Sequence, residues 1–350
     1  MARGKARGSL TRLKTEITIA GGGLAGLSLA VGLRHAGVGV TVLEAGQYPR
    51  HRVCGEFISG VSEATLSALG ILDLFSDAKL QRSLHWYEAG KLIHRDEFKT
   101  PAYGISRHLL DERLWQRVLE LGGVVKTTTR ATPSTAAGQV WAAGRRPRNG
   151  SWIGLKAHVK YNSQGADLEM HAGSNGYAGL AGVEEGWTNV CGLFKLDRTL
   201  KATGSELLPT YLAAGGNGRL AALLRAGEWR DRSFSAVAGF ELGRQIAMPG
   251  VLTVGDAESM IPPFTGNGMS MAFQAAECAL TPLVAWARGE TSWQATVNDT
   301  RKSLRNRFRR RLAVAGVMHH FMLEPGGRSL LQSMAAARLL PFQRMLSLTR

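Results

Sequence analysis

The chain has 350 residues, 44% of them hydrophobic, with 43 glycines and a formal net charge of +16. That length can bury a large core in one to three domains, and no apolar run approaches the roughly 20 residues of a membrane-spanning helix. Cys54, Cys191 and Cys278, odd in number and widely spaced, fit neither a disulfide framework nor a zinc pattern, so a reducing cytoplasm and no metal centre are expected. The basic N-terminus has no apolar run behind it and does not read as a secretory signal. Charge is concentrated at the ends. Residues 1–15 carry five basic side chains and no acid, residues 301–350 carry eleven and the single acid Glu324, and the body between them is nearly neutral.

Ile17 to Ala20 is a short β-rich run. It leads into a glycine turn, Gly21-Gly22-Gly23-Leu24-Ala25-Gly26, then an apolar helix to about Ala36 and a second strand, Val38 to Leu43, closing on Glu44. That is a complete βαβ dinucleotide-binding unit. Gly21 allows the tight turn, Gly23 lets the backbone approach a pyrophosphate, and Gly26 lets the helix pack closely on the strand. The helix N-terminus offers unpaired N–H groups and the positive end of its dipole to phosphates. Glu44, at the tip of the second strand, stands where a carboxylate accepts hydrogen bonds from ribose hydroxyls.

Pro49 to Ser59 reads as a loop, followed by a helix from Val61 to Leu69. His85 to Phe98 alternates around Ala89-Gly90, which predicts a hairpin. Ser106-Arg107 precedes a helix from His108 to Leu121, with Leu110, Leu114 and Val118 on one face. Gly122-Gly123 stops it, a strand follows from Val124, and another runs from Gln139 to Ala143. From Trp152 to Asp197 four strand-length runs alternate with glycines and polar turns, predicting an antiparallel sheet. On the first of them Lys156 and His158 share one face by the period of two, read as a solvated face ahead of the alternative that they face the site. Helical segments continue to about Ala226. Val251 to Val254 is a buried strand ending in Gly255-Asp256, and a long helix starts near Gly268. Seven of the eleven residues Arg301 to Arg311 are basic, with Leu304, Phe308, Leu312, Ala315 and Met322 at helical spacing behind them.

Four of these segments together are similar to one family. They are the glycine turn with Glu44, the loop Arg52-Val53-Cys54-Gly55-Glu56, Ile105-Ser106-Arg107 with Leu110-Asp111, and Val254 to Glu277. The family is the FAD-dependent oxidoreductase superfamily of aromatic hydroxylases and geranylgeranyl reductases, and the Cys-Gly-Glu loop resembles its reductase branch. The resemblance implies an α/β protein: a doubly wound, Rossmann-like FAD-binding domain, an inserted antiparallel β-sheet substrate domain and a helical C-terminus. The boundaries expected are 1–15 for a basic tail, 16–80, 103–148 and 249–300 for the FAD-binding domain, 81–102 and 149–248 for the substrate domain, and 301–350 for the basic helical end.

FAD is the cofactor that the resemblance implies. Its expected set is Gly21, Gly23, Leu24, Ala25, Gly26, Glu44, Arg52, Arg107, Gly255, Asp256, Pro263, Gly266, Asn267, Gly268 and Met269. Asp256 ends a strand, within reach of ribityl hydroxyls. Gly266-Asn267-Gly268 opens a helix whose N–H groups and dipole would stabilise negative charge on reduced flavin. Cys54 is the candidate catalytic residue, as a proton relay or else an inert packing group, and Glu56 is read as anchoring its loop. Trp152, Tyr177 and Phe264 are candidate substrate walls, with core packing the stronger alternative. Hydroxylases of the group carry an Asp-Gly pair where this chain has Ala142-Ala143-Gly144-Arg145 and then Pro147. NAD(P)H is therefore expected only as a transient electron donor, with a separate reductase protein as the other source.

The leading expectation is reduction of a carbon–carbon double bond in an apolar isoprenoid or polyketide-like substrate, with hydride from N5 of reduced FAD. The alternatives are an FAD monooxygenase acting through a flavin C4a-hydroperoxide, and a non-catalytic flavin-binding protein docked on a membrane. For residues 301–350 the choices are a helix with its basic face in water and peripheral contact with an anionic membrane. No module for specific nucleic-acid binding is recognised. The location expected is cytoplasmic, with membrane association as the variant.

Overall fold

The structure, a computed structural model, describes residues 16–145, 150–161, 165–239, 242–337, 339 and 342–348. The basic stretch 1–15 and Pro147 lie outside these residues.

Ile17 and Ile19 of β1 (Glu16–Ala20) and Val40 and Val42 of β2 (Gly39–Leu43) are buried, while their neighbours in the alternation are less so. The described sheet has five strands in the order β15 (Leu252–Thr253), β7 (Gln139–Trp141), β1, β2, β6 (Val124–Lys126), with every pair parallel. Between β1 and β2 runs α1 (Leu24–His35), which packs against α3 (Arg107–Glu120) and α6 (Gly268–Ala287). Leu27, Val31, Phe273 and Ala276 belong to that shared core. Burying a leucine or phenylalanine contributes about 1.5–3 kcal/mol each, so this layer fixes where both helices begin.

A second sheet has nine strands. Its path runs β12 (Glu228–Trp229), β8 (Trp152–Lys160), β11 (Thr188–Lys195), β10 (Gly176–Gly182), β9 (Leu168–Gly173), β4 (Lys79–Glu88), β5 (Lys91–Gly104), β3 (Phe57–Ile58), with β13 (Ser235–Ala238) also paired to β8. All its pairs are antiparallel except β4 with β9. The expected hairpin is β4–β5, turning at Ala89 and Gly90, both with positive φ. Leu155, Ala157 and Val159 of β8 pack under α4 (Leu207–Ala214) and α5 (Gly218–Ala226). A small pair, β14 (Gly243–Arg244) with β16 (Ser259–Met260), precedes α6.

The expected helix 61–69 is shorter: α2 spans Glu63–Ala68, because the Ser62 hydroxyl accepts from Thr65 N and sets its start. Ser106 does the same for α3, accepting from Leu109 N at 3.1 Å. The basic run lies inside α7 (Trp293–Leu323), whose Leu304, Phe308 and Ala315 pack with Met271 and Ala275 of α6. The chain closes with α8 (Pro325–Ala336) and α9 (Phe342–Leu348).

Candidate functional site

A cavity of about 1070 Å³ is lined from both sheets. Its wall includes Gly21, Gly23, Leu24, Ala25, Glu44, Arg52, Cys54, Arg107, Asp256, Pro263, Gly266, Gly268 and Met269 from the expected set, together with Tyr177 and Phe264. Four expected residues stand elsewhere. Gly26 seats α1 on the carbonyl of Gly21, and a Cβ there would lie 2.0 Å from that oxygen. Gly255 lies behind Ala25, 2.8 Å from its Cβ by the same construction. Asn267 is fully buried and accepts from Ser59 Oγ at 3.2 Å. Trp152 packs on His319, with ring centres 5.6 Å apart, so it belongs to the core behind the wall.

At one end the glycine turn is fixed by its surroundings. A Cβ on Gly21 would meet the Ala142 carbonyl at 2.4 Å, and one on Gly22 would meet Tyr48 Oη at 1.9 Å. Tyr48 donates to the Gly22 carbonyl at 2.5 Å and stacks on Trp115. Gly23 differs. Its backbone is extended, with φ −89°, and the nearest atom to a Cβ there is Arg107 Nη2 at 3.9 Å. Glu44 Oε2 accepts from Gly22 N at 2.8 Å, while Oε1 accepts from Gly46 N at 2.8 Å and Arg50 at 2.7 Å. Burial opposes its charge, but these donors and Arg52 together hold its carboxyl below the ordinary carboxylate value.

Two arginines share one buried acid. Arg107 donates through Nε to Asp111 Oδ1 at 2.7 Å and through Nη2 to Oδ2 at 2.8 Å, and Arg52 Nε donates to Oδ2 at 3.0 Å. Burial alone would lower the Arg107 pKa, but the Asp111 carboxylate outweighs it and raises the pKa above its ordinary value. Both guanidinium groups lie on the cavity wall, giving fixed positive charge beside the N-terminus of α1. Asp111 is a signal the sequence did carry, as the acid one turn after Arg107.

The Arg52–Glu56 loop is held from below. Glu56 accepts from Arg107 N through Oε1 at 2.9 Å and pairs with His158 Nε2 through Oε2 at 2.5 Å. Lys156 Nζ lies 3.3 Å from Glu56 Oε1 and 3.0 Å from His51 Nδ1. The solvated strand face expected for Lys156 and His158 is corrected here: both are fully buried, because this loop covers the side of β8 turned away from α4 and α5. Burial opposes ionisation of Glu56, and Lys156 and His158 overcome it, placing its pKa below the ordinary value. His51, His158 and Glu56 approach closely enough to hold a metal ion, but the Lys156 ammonium already supplies the positive charge at that point. Above them Cys54 lines the cavity and its carbonyl accepts from Asn189 Nδ2 at 3.0 Å. Burial pushes its thiol pKa up, against the pull of Arg107, so the group stays protonated at neutral pH.

At the other end Asp256 is open to the cavity but ringed by protein, which pushes its carboxyl pKa up while Arg107 and Arg145 oppose the shift. Gly268 begins α6 on the same wall, with nothing near the position of a Cβ. Beyond lies an apolar chamber of Trp86, Met170, Tyr177, Phe264, Met318 and Met322. Tyr177 Oη accepts from Phe264 N at 3.3 Å, and His319 is boxed behind it by the rings of Trp152, Tyr177 and Phe264. No feature of sequence spacing pointed to His319.

These residues fit an FAD molecule. Gly23 and Gly268 have ordinary room for side chains as far as the protein is concerned, so their lack of one leaves space for a ligand rather than relieving the fold. Glu44 and Asp256 would offer carboxylates to its hydroxyl groups, and two helix N-termini and Arg107 would offer positive charge to its phosphates.

Residues 14–140 match the FAD binding domain family. A 122-residue stretch is 31% identical to 3-demethoxyubiquinol 3-hydroxylase of Escherichia coli (strain K12), so the match spans 31% of this chain and 31% of that relative's length. The p-nitrophenol 4-monooxygenase PnpA from Pseudomonas putida DLL-E4 superposes with a TM-score of 0.76 at 16% identity, covering 95% of this chain and 97% of that one. Klebsiella pneumoniae HpxO, solved with FAD and uric acid, gives 0.73 at 15% identity over 96% and 97%. At these identities the likeness is one of fold. Residues 14–140 therefore match an FAD binding domain, and the whole chain shares its fold with these FAD-dependent enzymes.

Proposed function

We propose that the protein is an FAD-dependent monooxygenase that hydroxylates an apolar, ring-bearing or polyketide-like substrate. The observation that carries the reading is the chamber of Trp86, Tyr177, Phe264 and methionines set directly against the N-terminus of α6. The names of the relatives, a hydroxylase and a monooxygenase, support it over the double-bond reduction that the Cys-Gly-Glu loop first suggested.

Bound FAD supplies two-electron transfer and, once reduced, the capacity to activate dioxygen. The chain's own residues do the rest. Gly23 and the first N–H groups of α1, with Arg107, hold the pyrophosphate, while Glu44 and Asp256 orient the hydroxylated ends. The N–H groups opening α6 stabilise negative charge on the ring system, and the apolar chamber keeps bulk water from it. One oxygen atom enters the substrate and the other leaves as water, with two electrons from NAD(P)H or a reductase protein.

Double-bond reduction stands as a second reading on one observation, the position of Cys54 on the same wall. Anaerobically reduced protein mixed with oxygen, with p-nitrophenol as an aromatic probe, separates the two. A transient spectrum distinct from reduced and oxidised flavin supports the monooxygenase. Direct return to oxidised flavin, together with anaerobic reoxidation by geranylgeraniol, would transfer the assignment to the reductase.

A further inference from the structure

Helix α7 changes character along a single outward stripe. Over its first half the exposed positions include Lys302, Arg305, Arg309 and Arg310, while Leu304 and Phe308 face inward onto α6. Arg307 and Arg311 are engaged with that helix, through Glu277 at 2.6 Å and Gln274 at 2.7 Å. Further along, the stripe through Arg310 and Ala313 continues to Val317 and Phe321, steps of three and four that keep one face of a helix. Val317 is 59% exposed and Phe321 44%. Leu330, Leu339 and Leu348 follow at 51%, 70% and 38%. These five are half of the ten large hydrophobic side chains exposed among the described residues, yet they come from the short stretch 317–348. Scattered surface leucines need no explanation, but such a concentration marks an interaction surface.

Another side of α7 helps to close the apolar chamber, which Met318 and Met322 line, joined by Met345 of α9. The segment is thus apolar on its inner and outer sides, with a cationic stretch beside the outer apolar one. We propose that the outer face of the C-terminal helices docks on a bilayer containing anionic phospholipid. Phe321 and Val317 enter the boundary between headgroups and acyl chains, and Arg305, Arg309 and Arg310 meet the headgroups. Neither signal alone holds a protein at a membrane firmly; a polybasic patch beside an apolar insertion does. A nucleic acid would match the arginines but would leave the adjoining apolar side chains in water. The docking is peripheral, since no described helix is long and apolar enough to cross a membrane. That a substrate then enters the chamber from the lipid rests on the apolar-substrate reading above; the docking itself does not.

Flotation of the full-length, FAD-loaded protein with vesicles tests this. Phosphatidylcholine vesicles with added phosphatidylglycerol should capture it, and pure phosphatidylcholine should capture much less. Val317→Glu/Phe321→Glu and Arg309→Glu/Arg310→Glu should each weaken capture by about tenfold or more, with the flavin spectrum and melting temperature unchanged. No capture by anionic vesicles would overturn the proposal. So would capture that Val317→Glu/Phe321→Glu leaves intact and a DNA duplex abolishes, which would make the surface a polyanion site.

Discussion

Arg107 and Asp111, one helical turn apart on α3, are joined by two parallel hydrogen bonds of 2.7 and 2.8 Å, with the carboxylate fully buried. The same carboxylate takes Arg52 at 3.0 Å. Asp111→Asn therefore leaves Arg107 without its paired carboxylate and Arg52 with only Glu44, 3.6 Å away. Breaking such a pair costs about 3–5 kcal/mol, so the urea midpoint should drop sharply and FAD should bind more weakly. Arg107→Lys keeps the charge but loses the fork geometry, and should weaken FAD binding with a smaller loss of stability. An unchanged midpoint for Asp111→Asn would show that the acid is not what holds the two arginines.

Tyr48 and Gly22 make a second, testable fit. Alanine at 22 would put its Cβ 1.9 Å from Tyr48 Oη, and forced overpacking of this kind costs about 1–3 kcal/mol. Tyr48→Phe removes the colliding atom and the hydrogen bond to the Gly22 carbonyl. Gly22→Ala should lose stability measured by thermal melting, and the double variant should lose less than the two single changes summed. Strict additivity would mean that the two residues do not act on each other.

The half-buried His51 sets an acid limit. Burial first, then Lys156, pushes the His51 pKa down to about 3, against an ordinary value of 6.5. Between those values the unfolded chain binds a proton that the folded chain refuses, so stability falls as pH falls through that window. His319, lowered to about 4 by burial, adds to the same slope. Glu56 acts lower: its contribution is full above its ordinary 4.5 and is lost as pH drops through its depressed folded value. Melting temperature should therefore begin to fall below about pH 6.5, before the carboxylates titrate. His51→Gln should flatten part of that slope, and an identical slope would refute the assignment.

The glycine turn was legible because the apolar pattern changes there from strand to helix period, with an acid at the end of the next strand. The buried cluster was not. Leu155, Ala157 and Val159 announce one apolar face of β8, but nothing nearby says that the Arg52–Glu56 loop, about a hundred positions away, covers Lys156 and His158 on the other. The role of Gly22 was hidden for the same reason, since Tyr48 arrives from beyond the second strand. Trp152, for which core packing was the stronger expectation, packs on His319 of α7 and is not among the residues lining the cavity. The choice between hydroxylation and reduction was beyond local reading altogether, because one fold hosts both and function lives in the site.

The central claim is that this cavity is an FAD site whose glycines make room for the cofactor, and Gly23 tests it most directly. Its backbone is extended and a Cβ there meets nothing closer than 3.9 Å, so Gly23→Ala should fold and melt close to the parent. Flavin released from the two purified proteins, identified by mass and measured per chain, should be one FAD for the parent and almost none for the variant. A variant that melts normally and still carries a full complement of FAD would contradict the account.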